Sequence, residues 1–96
     1  MTVEAVYMGP RKDGSYWVNV KNANPTGMIG DAGVIRRFDS KKDAKVYTKM
    51  VNDTKPSSQG EYQMYMDKFE KNPQNPQQPL TIRHEGDVFV SQNSAA

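Results

Sequence analysis

Alternating apolar and polar positions predict two strands at the start of the chain. Residues 3–8 (VEAVYM) are rich in β-branched and aromatic side chains, and residues 15–21 (SYWVNVK) place one Tyr and two Val on the same face. Both patterns are typical of half-buried strands. Between them, residues 9–14 (GPRKDG) contain Gly-Pro and Asp-Gly pairs, which favour a turn. The pattern therefore predicts a β-hairpin.

The next apolar run, VIRRF at residues 34–38, predicts a third strand. It follows a stretch with three Gly and one Pro at residues 22–33, which we interpret as a long loop. Successive side chains of a strand point to opposite faces, so Arg36 and Arg37 must lie on different sides of the sheet. Only one of them can belong to any single binding face.

Two helices are predicted by apolar residues that recur every three to four positions. The first helix begins at Ser40, an N-cap residue that Asp43 follows three positions later, and it ends before Pro56. The second helix is predicted within residues 57–72, where Ser58 and Glu61 form a second possible capping box. The apolar stripes consist of Ala44, Tyr47 and Val51 in the first helix, and of Tyr62, Tyr65, Met66 and Phe69 in the second. Each stripe is typical of a helix that faces a core.

A second hairpin is predicted at the C-terminal end. After a Pro/Gln linker at residues 73–79, the run LTIRHEGDVFV at residues 80–90 contains Glu85-Gly86, a favourable turn pair. The preferred three-residue loop places the apolar positions of both arms on one face. Those positions are Leu80, Ile82, Val88 and Val90.

Together these elements predict an α+β fold. A small antiparallel sheet, made of a three-stranded meander and the C-terminal hairpin, should pack against one or two helices. With 96 residues, 35% of them hydrophobic, and a mean hydropathy of −0.86, the chain has material for a single modest core. We expect one domain over residues 1–91 and a flexible tail at residues 92–96.

Composition argues against several classes of function. The chain has no Cys and only one His, which excludes disulfides, thiolate zinc sites and His-Cys catalysis. No nucleophile-elbow or phosphate-loop motif occurs. We therefore expect no enzymatic activity, no cofactor and no metal site. The N-terminal residues do not resemble a signal peptide, and no apolar run reaches membrane-spanning length, so we expect a cytoplasmic protein with no membrane partner.

Three short motifs resemble, in their order, a family of small bacterial domains, domain of unknown function 2188. They are W-x-V from residue 17, FDSKKDA from residue 38 and L-x-I-x-H-x-G from residue 80. The resemblance covers about residues 15–51 and 80–90, and it implies a fold but no activity. Residues 57–79 add a helix and a linker that the family pattern lacks, and His84 stands one position later than that pattern has it.

A second resemblance is to the arm-type DNA-binding domains of phage integrases. It rests on RKDGSYWVNV at residues 11–20 followed by RRFDSKKDA at residues 36–44. In those domains a three-stranded sheet lies against one helix and enters the DNA major groove. The 96 residues contain no recombinase catalytic region, so this resemblance implies an accessory DNA-binding protein.

Basic residues are concentrated in one part of the chain. Residues 11–49 contain nine Lys or Arg and four acids, whereas the rest contains four bases and seven acids. This asymmetry is typical of either a partner surface or well-solvated strands and helices. A basic strand face with interleaved aromatic residues could bind phosphates and bases. The candidate nucleic-acid-binding residues are Arg11, Lys12, Tyr16, Lys21, Arg36 and Arg37.

The sequence as a whole favours a small non-catalytic binding or regulatory module. We expect its partner to be a protein, contacted through the apolar Met28 and Ile29 of the predicted loop. A sheet-based DNA-binding protein is the alternative, and an enzyme is a third and weaker interpretation.

Overall fold

A computed structural model describes residues 2–23 and 29–91, with only the backbone for residues 29–31, 84–87 and 89–91. Within these residues the chain forms an antiparallel sheet with strand order β1-β2-β3-β4, packed against two helices. The predicted α+β class is thereby confirmed. In chain order the elements are β1 (Glu4–Pro10), β2 (Tyr16–Ala23), β3 (Ile29–Phe38), α1 (Lys41–Thr54), α2 (Gln59–Glu70) and β4 (Ile82–Ser91).

Strand register gives the sheet two different faces. Val20 lies opposite both Ala5 and Val34, and all three side chains are buried on the side that α1 covers. We call this the helix side. The next position along β2, Asn19, points to the other side, where no described helix packs. We call that side the open face.

An aromatic chain connects the sheet to both helices. The ring centroids of Phe38 on β3 and Tyr47 on α1 are 5.1 Å apart. Phe69 on α2 lies 6.0 Å from Tyr47 and 6.0 Å from Tyr62. Tilted and edge-on pairs at these separations contribute about 0.5–1.5 kcal/mol each beyond the area they bury. Each of these four rings is at most 1% exposed, so they form the centre of the core.

Both predicted capping sites are confirmed. The Ser40 hydroxyl accepts a hydrogen bond from the Asp43 N–H at 3.3 Å, and the Ser58 hydroxyl accepts one from the Glu61 N–H at 3.2 Å. The Asp43 carboxylate also accepts the Thr81 N–H at 3.1 Å. The start of α1 is therefore tied to the segment that leads into β4.

Asn52 of α1 closes part of the free edge of β1. Its Nδ2 donates to the Ala5 carbonyl at 2.9 Å, and its Oδ1 accepts the Ala5 N–H at 2.8 Å. Nearby, the Val3 N–H donates to the Pro56 carbonyl at 2.8 Å. An edge strand with unpaired backbone groups is a template for association with other chains. One side chain here replaces a missing strand partner.

The predicted loop over residues 22–33 is wrong at both ends. β2 continues to Ala23 and β3 begins at Ile29, so the glycine-rich residues up to Gly33 are part of the sheet. Gly33 pairs with Lys21 on one side and with Val90 on the other. Backbone pairing with two neighbouring strands outweighs the low strand propensity of Gly and Asp. Residues 24–28 lie outside the described residues.

The predicted C-terminal hairpin over residues 80–90 is instead one strand. Ile82 pairs with Phe38 and Ser91 pairs with Ala32, so the segment runs antiparallel to β3 from end to end. β3 has ten residues and one edge that β2 leaves free. Residues 82–91 can therefore pair with β3 over more of their length than they could pair with one another in a hairpin. Leu80, 4% exposed, enters the core just before the strand.

A register shift in β4 occurs where the sequence predicts the turn of a hairpin. Arg37 pairs with Arg83, whereas Ile35 pairs with Val88, so residues 84–87 occupy the space opposite a single residue of β3. Extra residues of this kind bend a strand without ending it. Because Val88 lies opposite Ile35, it is on the open face, and the single apolar hairpin face that the sequence suggested does not form.

We predict that Asn52→Ala lowers the free energy of unfolding by about 1–3 kcal/mol, because it leaves the Ala5 N–H and carbonyl without partners. Asn52→Asp should also destabilise, since a carboxylate cannot donate to the Ala5 carbonyl. Urea denaturation followed by circular dichroism measures both changes. Lys49→Ala, at an exposed position of the same helix, is the control. An Asn52→Ala protein as stable as the control would contradict the assigned role of Asn52.

A candidate binding site on the open sheet face

Arginines form a row across the open face around the single Trp. Trp17 on β2 lies opposite Arg37 on β3, and Arg37 lies opposite Arg83 on β4. Arg11, in the turn after β1, contacts Trp17 as well. We call Arg11, Trp17, Arg37 and Arg83 the arginine row. It runs from the turn after β1 across β2 and β3 to the edge strand β4.

Trp17 holds two of the guanidinium groups in place. The Cζ atoms of Arg11 and Arg37 lie 4.4 Å and 4.8 Å from its ring centroid. Contacts of this kind contribute about 0.5–1 kcal/mol at exposed sites and about 2 kcal/mol when desolvated. A guanidinium that stacks on a ring keeps its N–H edge available for carboxylate or phosphate oxygens. Trp17 therefore brings two cations together at one ring.

A chain of hydrogen bonds through the buried Ser15 fixes the orientation of the indole. Trp17 Nε1 donates to Ser15 Oγ at 2.9 Å, and the Ser15 hydroxyl donates in turn to Asp13 Oδ1. The Ser15 N–H donates to the same carboxylate oxygen at 2.9 Å. Ser15 is fully buried, so water does not compete for its hydroxyl. The turn between β1 and β2 thus sets the ring plane on which Arg11 rests.

Hydrogen bonds from Ser15 lower the pKa of the Asp13 carboxyl below its ordinary value of 3.8. The hydrogen bond from the Ser15 hydroxyl is the largest cause, followed by the one from the Ser15 N–H. Partial desolvation opposes them, and the positive charges of Arg83 and Arg37 add to the lowering. Asp13 is therefore an anion at neutral pH and a fixed part of the site.

Positive charge remains in excess along the row. Arg83 forms an ion pair with Asp39, so three arginines stand against the two carboxylates of Asp13 and Asp39. Arg37 and Arg83 lie directly opposite each other, an arrangement of like charges that destabilises a sheet. The Nε of Arg37 is buried and donates no hydrogen bond to a described atom. Arg37 as a whole is only partly buried, so an anion at the row would meet the exposed part of its side chain rather than Nε.

A second row with different chemistry runs beside the first. Val6 on β1 lies opposite Asn19 on β2, Asn19 opposite Ile35 on β3, and Ile35 opposite Val88 on β4. We call these four residues the valine row. Val6 is 45% exposed and Val88 is 42% exposed, whereas Ile35 is 8% exposed. Two apolar side chains thus reach solvent at the ends, with one amide between them.

The structure places four of the predicted nucleic-acid-binding residues on the open face or beside it. Arg11 and Arg37 belong to the arginine row, and Lys21 is exposed opposite Glu4, whose charge offsets its own. Lys12 is exposed in the turn between β1 and β2. These four positions are compatible with one surface.

The remaining predicted residues do not join that surface. Tyr16 lies opposite Phe38 and packs against the core, and Arg36 is 2% exposed on the helix side, where it is engaged inside the protein. Met28 lies outside the described residues. Ile29 begins β3, and its side chain lies outside the described part of the structure. The proposed protein contact through these two residues therefore stays a prediction.

Sequence reasoning missed Arg83, Asn19 and the exposed valines as members of a site. Arg83 was missed because the hairpin predicted over residues 80–90 does not place it next to β3, where it pairs with Arg37. The alternation of β2 does contain a usable signal, since Trp17 and Asn19 fall on the face opposite Val18. No local pattern identifies Val88, because its face depends on the register shift.

Two other kinds of site were considered in the described part of the chain. Over residues 2–23 and 29–91, no cluster of three or more His, Cys, Asp or Glu residues is arranged to hold a metal ion. Neither α1 nor α2 has the length and apolar character needed to cross a bilayer.

Comparisons with protein-family models, with curated proteins and with solved structures gave no significant match. Both family resemblances suggested by the sequence therefore stay predictions, and the geometry of the open face carries the functional argument.

We predict that Asp13→Asn changes the acid stability of the protein. A lowered pKa means that the Asp13 carboxylate stabilises the fold above about pH 4, and that this contribution is lost as the pH falls through the folded-state pKa, below 3.8. The difference in Tm between wild type and Asp13→Asn should therefore be largest near neutral pH and shrink on acidification. Thermal unfolding at a series of pH values measures it, with the exposed Asp67→Asn as the charge control. A difference that stays constant over the whole range would contradict the role of Asp13.

Proposed function

We propose that the protein is a non-catalytic binding module that binds nucleic acid through its open sheet face. The observation that carries the proposal is the arginine row, in which Trp17 positions two guanidinium groups beside a third. Guanidinium groups donate in a planar fork that matches the oxygens of a phosphate. A phosphodiester backbone supplies such acceptors at regular spacing along a polymer.

The burial and charge of the row support a polyanion as the partner. Arg37 and Arg83 are only partly exposed, and their repulsion across β3 and β4 is offset by Asp39, which pairs with Arg83, and by Asp13, whose charge interacts with both. A bound phosphate would accept from Arg37 and reduce this repulsion. The resemblance to arm-type domains points in the same direction, because a sheet binds DNA in those proteins.

A protein partner is the second candidate, favoured by the apolar side chains at the ends of the open face. Val6, Met8 and Val88 are 45%, 40% and 42% exposed. Arg is enriched in protein interfaces, so the arginine row is compatible with this candidate, but the excess of positive charge in the row ranks a polyanion above it. A protein partner would bind with weak salt dependence and would involve these apolar residues.

We further propose that the module acts in the cytoplasm. The absence of Cys from all 96 residues fits a chain that evolved without selection for disulfides, as is common in reducing compartments.

We predict that replacing Arg11 and Arg37 by Gln weakens binding to a fluorescein-labelled oligonucleotide and lowers its salt dependence. Each lost phosphate contact should reduce the slope of log K against log salt by about 0.7–0.9. Fluorescence anisotropy titrations at about 50 mM and 200 mM salt measure both quantities. Arg37→Lys keeps the positive charge but loses the planar pair of guanidinium donors. It should therefore retain more of the wild-type salt dependence than of the wild-type affinity.

The matched control is the double variant Lys42→Gln, Lys45→Gln, which removes two positive charges from exposed positions of α1. It should retain most of the affinity. Equal losses in the two double variants would show that only net charge matters and would contradict the assigned face. No binding of wild type at the lower salt concentration would overturn the proposal and leave the protein partner as the better candidate.

A further inference from the structure

We propose that the open face prefers a single nucleic-acid strand to a duplex, with the backbone on the arginine row and unstacked bases on the valine row. This inference rests on the proposed function and specifies its ligand. It starts from the geometry of the two rows. Both rows reach from the β1 side of the sheet to β4, and on β2 and β3 they are two residues apart, which is about 6.8 Å. On β4, Arg83 and Val88 are five positions apart, but the register shift places them opposite Arg37 and Ile35, so the rows stay adjacent there.

The two rows differ in the chemistry that they offer. The arginine row offers fixed cationic donors, whereas the valine row exposes Val6 and Val88 around the amide of Asn19. A single strand carries phosphates along one side and bases with open faces along the other. Its two sides therefore match two adjacent rows, one charged and one apolar.

Asn19 gives the valine row a way to bind the edge of a base. Its amide contains both donors and an acceptor, and it lies between Val6 and Ile35 in register. In a single strand the Watson–Crick edge of a base is free to make such hydrogen bonds. The outer planes of the arginine guanidinium groups can stack on neighbouring bases as well.

A duplex fits the same face less well, for two reasons. Four strands at a spacing of about 4.8 Å measure about 14 Å between the outer backbones, which is more than the major groove width of about 12 Å. Arg83 lies on the outermost of these strands, β4, so a shallower approach that leaves β4 out would lose one arginine. Duplex bases also keep their faces stacked, so Val6 and Val88 would meet sugars and phosphates instead.

The test compares one labelled single-stranded DNA of mixed sequence, about 15 nucleotides long, with the duplex formed by adding its complement. Anisotropy titrations at equal salt should give a Kd about tenfold lower for the single strand, since burying about 55 Å² of apolar surface against the bases is sufficient for that difference. Val6→Ser combined with Val88→Ser should remove most of the preference by weakening single-strand binding alone. Met64→Ser, at a 62% exposed apolar position on α2, is the matched control and should keep it.

Each outcome distinguishes this inference from the function on which it rests. Equal or tighter binding of the duplex would overturn the single-strand preference while leaving nucleic-acid binding in place. Binding of neither DNA would overturn the proposed function itself. A preference that persists in the folded Val6→Ser, Val88→Ser protein would overturn the role of the valine row. If that variant fails to fold by circular dichroism, Asn19→Ser tests the same row, and the wild-type comparison still decides the preference.

Discussion

The pairing of β4 with β3 is the constraint on which the open face depends. It places Arg83 beside Arg37 and Val88 beside Ile35, and both rows would lose a member without it. The register shift at residues 84–87 places Val88 on the open face, although a turn-like sequence precedes it. A local irregularity in one edge strand therefore extends the apolar row to β4, whereas Arg83 joins the charged row before the shift.

The division of labour between the two faces follows from strand alternation. Arg36 is buried on the helix side, whereas Arg37 lies on the open face. Two adjacent arginines therefore belong to the interior and to the candidate site, respectively. The helix side is occupied by the aromatic core and by Asn52, which also closes the edge of β1. With one face and part of one edge occupied, the open face is the extended surface of the sheet that is left for a partner.

The predictable parts of the fold were those determined by neighbours in sequence. The caps at Ser40 and Ser58 and the opposite orientation of Arg36 and Arg37 depend on spacings of one to three residues, and all were found. The β3–β4 pairing was not, because it joins residues more than forty positions apart, such as Phe38 and Ile82. Glu85-Gly86 is locally a good turn pair, and only the presence of β3 makes a continuous strand the better solution. The site could be predicted only in part for the same reason. Strand alternation assigns Arg37 to a face, whereas the position of Arg83 depends on the long-range pairing of β4 with β3.

The most direct test of nucleic-acid binding by the open face is a ¹⁵N-HSQC titration of the protein with the single-stranded DNA. The Trp17 indole N–H, the Asn19 side-chain amide and the backbone amides around Arg37 report on the open face. The account predicts that these signals shift and that those around Tyr47 in the core and Lys42 on α1 stay in place. Shifts concentrated on α1, or no shifts at a saturating DNA concentration, would contradict it.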